Sequence, residues 1–129
     1  SRGANKCVFV DKSKESINIV KSNIKKARVE NESTVLNLDF KSAINSLALK
    51  KEKFDVIFMD PPYYKNMFSD ALLAVDNNEL LKEDGIFITS GIINTMEEAV
   101  KEAMLANNFE ILEINHMKDW VSITAKPKR

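Results

Sequence analysis

The chain has 129 residues, a length that suits one compact domain. It is 44% hydrophobic and 29% charged, and its 19 Lys and Arg are matched by 19 Asp and Glu, which argues against broad electrostatic binding of nucleic acid by the chain as a whole. No apolar run is long enough to span a membrane, no signal-peptide h-region follows Ser1 to Lys6, and the single cysteine, Cys7, excludes an intramolecular disulfide and fits a reducing, cytoplasmic setting.

Cys7-Val8-Phe9-Val10 is a continuous apolar run closed by Asp11, as in a buried parallel strand, and places Cys7 as a buried structural thiol. Ile17, Val20, Ile24 and Ala27 recur at helical spacing and predict an amphipathic helix over 13–28. Its basic patch, Lys21 to Arg28, reads as a solvated helix face. Thr34 to Leu38 is a second strand, closed by Asp39. Phe40, Ala43, Ile44, Leu47 and Ala48 mark a second helix, and Lys50 to Lys53 an exposed connection.

Phe54 to Met59 is the clearest strand and Asp60 closes it. Pro61-Pro62 can continue neither a helix nor a central strand, so an extended loop follows. A helix is predicted over about 67–76, then a turn at Leu80 to Gly85 and a strand at Ile86 to Ser90. Thr95 and Glu98 have capping-box spacing and open a helix that Asn107-Asn108 can end in the left-handed conformation. Phe109 to Ile114 and Trp120 to Ala125 read as strands of a hairpin turning over Asn115 to Asp119, with Trp120 packing on a helix at the start of an edge strand. Met96 and Met104 are core fillers. His116, the sole histidine, has a surface or structural role, and no metal cluster can be built around it. Strands alternating with helices define an α/β fold, a mostly parallel Rossmann-like sheet ending in an antiparallel hairpin.

Ligands of open parallel sheets bind beyond the carboxyl ends of the strands, where this sequence puts Asp11, Asp39 and Asp60. Asp11 can accept from both hydroxyls of a ribose. Asp39 can accept from an adenine amine, with Phe40 packed on the ring. Each of these two acids can equally be a helix cap.

Asp60-Pro61-Pro62-Tyr63 is more specific. An exocyclic nitrogen on a base is a poor nucleophile, because its lone pair is delocalised into the ring. The Asp60 carboxylate and the Pro61 carbonyl can both accept from that amine and aim its lone pair. The two prolines hold the loop rigid, which favours preorganisation. Tyr63 can stack on the base. Tyr64, Lys65 and Asn66 either touch a substrate phosphate or base or form a solvated loop.

On these residues the chain resembles the class I S-adenosylmethionine-dependent methyltransferases. Ser1-Arg2-Gly3-Ala4, the strand ending in Asp11, Phe54 to Tyr63 and Leu80 to Gly85 are similar to the bacterial 16S rRNA guanine-N2 methyltransferases, over residues 1–88. The resemblance implies S-adenosyl-L-methionine as cofactor, with Asp11 at its ribose and Asp39 and Phe40 at its adenine. It implies Asp60, Pro61, Pro62 and Tyr63 as the target-amine site, and Tyr64 and Lys65, next along the chain, are candidate substrate contacts beside Tyr63. Transfer would be direct, without a covalent enzyme intermediate or a metal. The same four-residue motif occurs in DNA adenine-N6 methyltransferases. Residues 89–129, with Ser90-Gly91-Ile92-Ile93, Phe109-Glu110-Ile111 and Trp120 to Ile123, resemble the end of the ribosomal-protein lysine methyltransferases.

Relative to that family, the first strand and its glycine-rich loop are absent from the chain, which reads as a single, partial catalytic domain. The two-part resemblance fits a chimera of related folds. Three functions follow: methylation of guanine N2 in 16S rRNA or an assembling small subunit, methylation of a ribosomal-protein amino group, or a catalytically silent fragment. The gap left by the absent strand would close by pairing of the strands at 7–10 and 54–59, or by homodimerisation through strand exchange.

Overall fold

A computed structural model describes residues 4–59 and 67–128. The chain divides into two compact units, residues 1–46 and 47–129, with the boundary inside the second helix. In the first unit, β1 (Cys7–Val10) pairs in parallel with β2 (Ser33–Leu36), and α1 (Lys14–Ala27) connects them. Ser13 caps α1 by accepting from the Ser16 amide at 3.2 Å. Arg28, at φ 60°, ends it: its amide donates to the Lys25 carbonyl and that of Val29 to Ile24, the pattern of a Schellman closure. Ile17 and Ile24 are the buried stripe of α1, as the spacing requires. Helix α2 (Phe40–Leu49) follows, with Ala43 and Ile44 buried.

In the second unit, β3 (Phe54–Met59), β4 (Leu81–Ile93), β5 (Phe109–Met117) and β6 (Trp120–Pro127) form one sheet in the order β3-β4-β6-β5. β3 and β4 are parallel, and β6 is antiparallel to both β4 and β5. Helices α3 (Met67–Asn77) and α4 (Glu97–Ala106) bring Leu72, Val75, Val100 and Met104 into the core, with Leu81, Phe87, Ile92, Phe109, Val121 and Ile123 from the sheet. The Phe87 and Phe109 rings meet at 5.4 Å and 53°, a tilted pairing that adds about 1 kcal/mol beyond burial. Buried Asn107 donates to the Ala103 carbonyl at 2.7 Å and to Ser69 Oγ at 3.4 Å. This satisfies its amide and links the end of α4 to α3. No helix of the described residues is long and apolar enough to cross a membrane.

The element order follows the sequence reading, with local corrections. Cys7 is exposed, because β1 lies half open to solvent instead of inside a covered sheet. The expected turn at Leu80 to Gly85 is largely strand: β4 starts at Leu81 and bulges between the pairs Phe54–Leu81 and Val56–Ile86. The Thr95 capping box does not form. A 3-10 turn over Asn94–Met96 leads into α4 without a side-chain cap. Glu98 instead lies 3.3 Å from Lys101 Nζ. The hairpin turn shrinks to Lys118 and Asp119, with Lys118 at φ 55°. β6 is an inner strand and not an edge strand, and Trp120, 55% exposed, sits between Ile93 and Met117 across the strands. Among the described strands β1 pairs with β2 and β3 with β4, so direct pairing of β1 with β3 does not occur.

Candidate functional site

The best-defined part of the candidate site lies within the first unit, at the carboxyl ends of β1 and β2. The parallel register sets Val10 beside Leu36, and the Asp11 amide extends the ladder by donating to the Leu36 carbonyl at 3.2 Å. Asp11 therefore leaves β1 at the level where β2 ends. Its Oδ1 accepts from the Ser13 amide at 2.8 Å, a short turn that leads into α1. Asp11 is exposed, so its carboxylate remains open to a ligand.

Asp39 stands three residues past the end of β2 and opens α2. Its Oδ1 accepts from the Ser42 amide at 2.8 Å, and its carbonyl takes the Ala43 amide at 3.0 Å. This is N-cap geometry. The Ser42 amide first, then the Ser42 hydroxyl, hold the Asp39 carboxyl below the usual carboxylate range. Slight desolvation opposes them, and Lys12 and Lys41 add to the lowering. Asp39 is thus ionised throughout the neutral range. Phe40 follows on the first turn, half-buried.

Asn37 ties the segment after β2 to the segment after β1 and was not picked out from the sequence, which placed it inside the strand. β2 stops at Leu36, and Asn37 Nδ2 donates to the carbonyls of Asp11 at 3.0 Å and Lys12 at 3.1 Å. An amide side chain inside an otherwise apolar run, Leu36-Asn37-Leu38, is the signal that could have marked it. The capping reading of Asp11 and Asp39 and the ligand reading are compatible. Each cap engages Oδ1, and both carboxylates are exposed. An acceptor pair fixed by backbone donors, at the open ends of parallel strands, suits a polar ligand bearing hydroxyl and amine donors. A cofactor with a ribose and an adenine fits that donor set.

In the second unit, β3 delivers the chain through Met59 to Asp60. Asp60, Pro61, Pro62, Tyr63, Tyr64 and Lys65 lie outside the described residues. His116 Nε2 is 2.6 Å from Glu97 Oε1, so it serves a surface link between β5 and the start of α4. No group of His, Cys, Asp and Glu suited to a metal occurs among the described residues.

The fold is that of a class I S-adenosylmethionine-dependent methyltransferase, a class whose cofactor is S-adenosyl-L-methionine. Residues 1–120 match the family model described as Conserved hypothetical protein 95, and the chain belongs to that family. The match extends well past residue 88, where the sequence resemblance changes character. "Putative rRNA methyltransferase YlbH" of Bacillus subtilis is 34% identical over 88 residues, 68% of this chain and 48% of that protein. "Ribosomal protein L11 methyltransferase" of Anoxybacillus flavithermus is 35% identical over 126 residues, 96% of this chain and 36% of that protein. The chain thus spans about half or less of these relatives. The crystal structure of a ribosomal protein L11 methylase from Lactobacillus delbrueckii subsp. bulgaricus superposes with a TM-score of 0.80 at 23% identity, covering 98% of this chain and 60% of that one.

Proposed function

We propose that the chain carries out S-adenosylmethionine-dependent methyl transfer to an exocyclic amine of a nucleic-acid base, with guanine N2 of 16S rRNA, free or in an assembling small subunit, as the target. The observation that carries this reading is the pair of exposed carboxylates beyond adjacent parallel strands, Asp11 after β1 and Asp39 at the start of α2, each fixed by a backbone amide. In this reading Asp11 accepts from the ribose hydroxyls, Asp39 accepts from the adenine amine, and Phe40 packs on the adenine. The cofactor supplies the sulfonium methyl group. Asp60 and the Pro61 carbonyl accept from the target amine, Pro62 stiffens the loop, Tyr63 stacks the base, and Tyr64 and Lys65 contact the substrate. The rRNA target is supported by the name carried by the Bacillus subtilis relative and by the Asp60-Pro61-Pro62-Tyr63 sequence.

A second reading, methylation of a ribosomal-protein amino group, is favoured by one observation: the L11 methyltransferase relative matches nearly the whole chain, C-terminal third included. Calorimetry with S-adenosylmethionine on the wild type, Asp11→Asn and Asp11→Ala tests the shared part. Asn keeps an acceptor for the Ser13 amide but loses the charge, so binding that weakens in both variants supports the cofactor role. Absence of binding at millimolar cofactor refutes it and leaves the catalytically silent reading. Competition between naked rRNA, assembled subunits and free ribosomal proteins for a labelled methyl group then separates the two substrates.

A further inference from the structure

Charge is unevenly divided along this electrically balanced chain. Residues 1–46 carry nine Lys and Arg against five Asp and Glu, whereas residues 47–129 carry ten against fourteen. The excess is concentrated on α1. Between Lys14 and Arg28 stand five basic residues and a single acid, Glu15, and all six are exposed. At about 100° per residue, Lys14, Lys21 and Lys25 fall within a sector of about 40°, beside the buried Ile17–Ile24 stripe, and Arg28 closes the row at the helix end. Glu15 falls on a different side. The row extends for about 16 Å from Lys14 to Lys25 at 1.5 Å per residue. Asn18 and Ser22, both exposed, border it with further hydrogen-bonding groups.

Helix electrostatics account for part of this pattern only. Lys25 and Lys26 complement the negative end of the helix dipole. Lys14 stands in the first turn, where the dipole disfavours a cation, and among the described residues none of Lys14, Lys21, Lys25 and Arg28 takes part in an ion pair. By contrast, Lys53, Lys82, Lys101 and Lys126 of the second unit each have a carboxylate partner. The cores of protein–protein interfaces are depleted of lysine. Phosphate contacts are made chiefly by Lys and Arg, helped by Ser and Asn side chains.

We propose that the flank of α1 formed by Lys14, Lys21, Lys25 and Arg28 binds the phosphate backbone of an RNA strand. This rests on the nucleic-acid reading of the function and adds a surface to it. It would position RNA without reading its bases.

The test is fluorescence anisotropy with a labelled 20-nucleotide RNA hairpin over a range of salt, without cofactor. It compares the wild type with Lys14→Gln/Lys21→Gln/Lys25→Gln and with a control of equal charge change in the second unit, Lys82→Gln/Lys101→Gln/Lys126→Gln. Circular dichroism and Tm confirm that each variant is folded. The expected result is RNA affinity lower by on the order of tenfold for the α1 variant, with the slope of log K against log salt shallower by about 2, while the control behaves as wild type. An unchanged slope in the α1 variant, or an equal change in the control, overturns the proposal. Because the readout is binding alone, a chain that binds RNA through α1 yet never methylates it refutes the assignment of the Asp60 loop and not that of the α1 surface.

Discussion

Asn37 Nδ2 lies 3.0 Å from the main-chain carbonyl of Asp11 and 3.1 Å from that of Lys12, one side chain holding the exit of β1 against the exit of β2. Two backbone acceptors that lack ladder partners are thereby satisfied, and the segment carrying Asp11 is held in register with the segment carrying Asp39. Asn37→Ala removes both bonds, and each is worth about 1 kcal/mol. Asn37→Asp replaces the donor by a carboxylate facing two carbonyl oxygens and is expected to be worse. Both variants should lower the denaturant midpoint, Asp more than Ala, and weaken S-adenosylmethionine severalfold. Stability equal to wild type in Asn37→Asp would remove Asn37 from the site's architecture.

Asp39 has two duties that substitution can separate. Ser at this position still caps α2 but is too short to reach a ligand, so Asp39→Ser should keep most of the stability and lose cofactor affinity. Asp39→Ala should lose both, because the cap goes with the carboxylate. The pH dependence carries a sign. The Ser42 donors depress the carboxyl pKa in the folded state. The associated stability is therefore present above the ordinary, unfolded-state pKa, and disappears as pH falls through the lower folded value. Urea denaturation between neutral pH and strongly acidic pH should show an acid-dependent loss in the wild type that is smaller in Asp39→Ser.

The apolar runs at 7–10, 54–59 and 109–114 and the helical spacing over 13–28 made the order of elements legible, because strand and helix periods differ and burial enforces them. The place of Asp11 was legible for the same reason, a charge ending an apolar run at a strand end, whereas Asp39 stands three residues past β2 and caps α2. Asn37 was hidden because its role depends on a carbonyl 26 residues away, which only the parallel register brings near. The Thr95 cap failed locally: Asn94–Met96 form a 3-10 turn that puts Met96 at the start of α4, and Glu98 pairs with Lys101 one turn on. Cys7 and Trp120 were misplaced because an apolar residue in a strand says which face it prefers and not whether another layer covers that face.

Lys51 ends α2 at φ 56°, its amide on the Ala48 carbonyl and the Glu52 amide on that of Leu47. The left-handed conformation costs a residue with a Cβ roughly 1 kcal/mol relative to glycine at such a closure. Lys51 is exposed and forms no ion pair among the described residues. Lys51→Gly should therefore raise Tm by a few degrees, against the usual destabilising effect of glycine, and Lys51→Val should lower it. A glycine variant that melts below the wild type would mean that the turn does not hold this conformation in solution.

Gly85 sits in the bulge where β4 changes register against β3, between the pairs Phe54–Leu81 and Val56–Ile86. A Cβ there would come within 2.6 Å of Leu81 Cδ1 and 2.9 Å of the Lys82 carbonyl oxygen. The Leu81 side chain is fully buried, and the carbonyl belongs to the strand itself, so neither can yield cheaply. Gly85→Ala should cost about 1–3 kcal/mol. Because β3 leads directly into Asp60, a shifted register would also move the residues proposed to hold the target amine. The expected signature is a lower Tm together with methyl transfer reduced more than cofactor affinity, since Asp11 and Asp39 belong to the first unit and the bulge to the second. Equal losses in both would point to general destabilisation, and methyl transfer unchanged in a destabilised variant would uncouple the β4 bulge from the loop that follows β3.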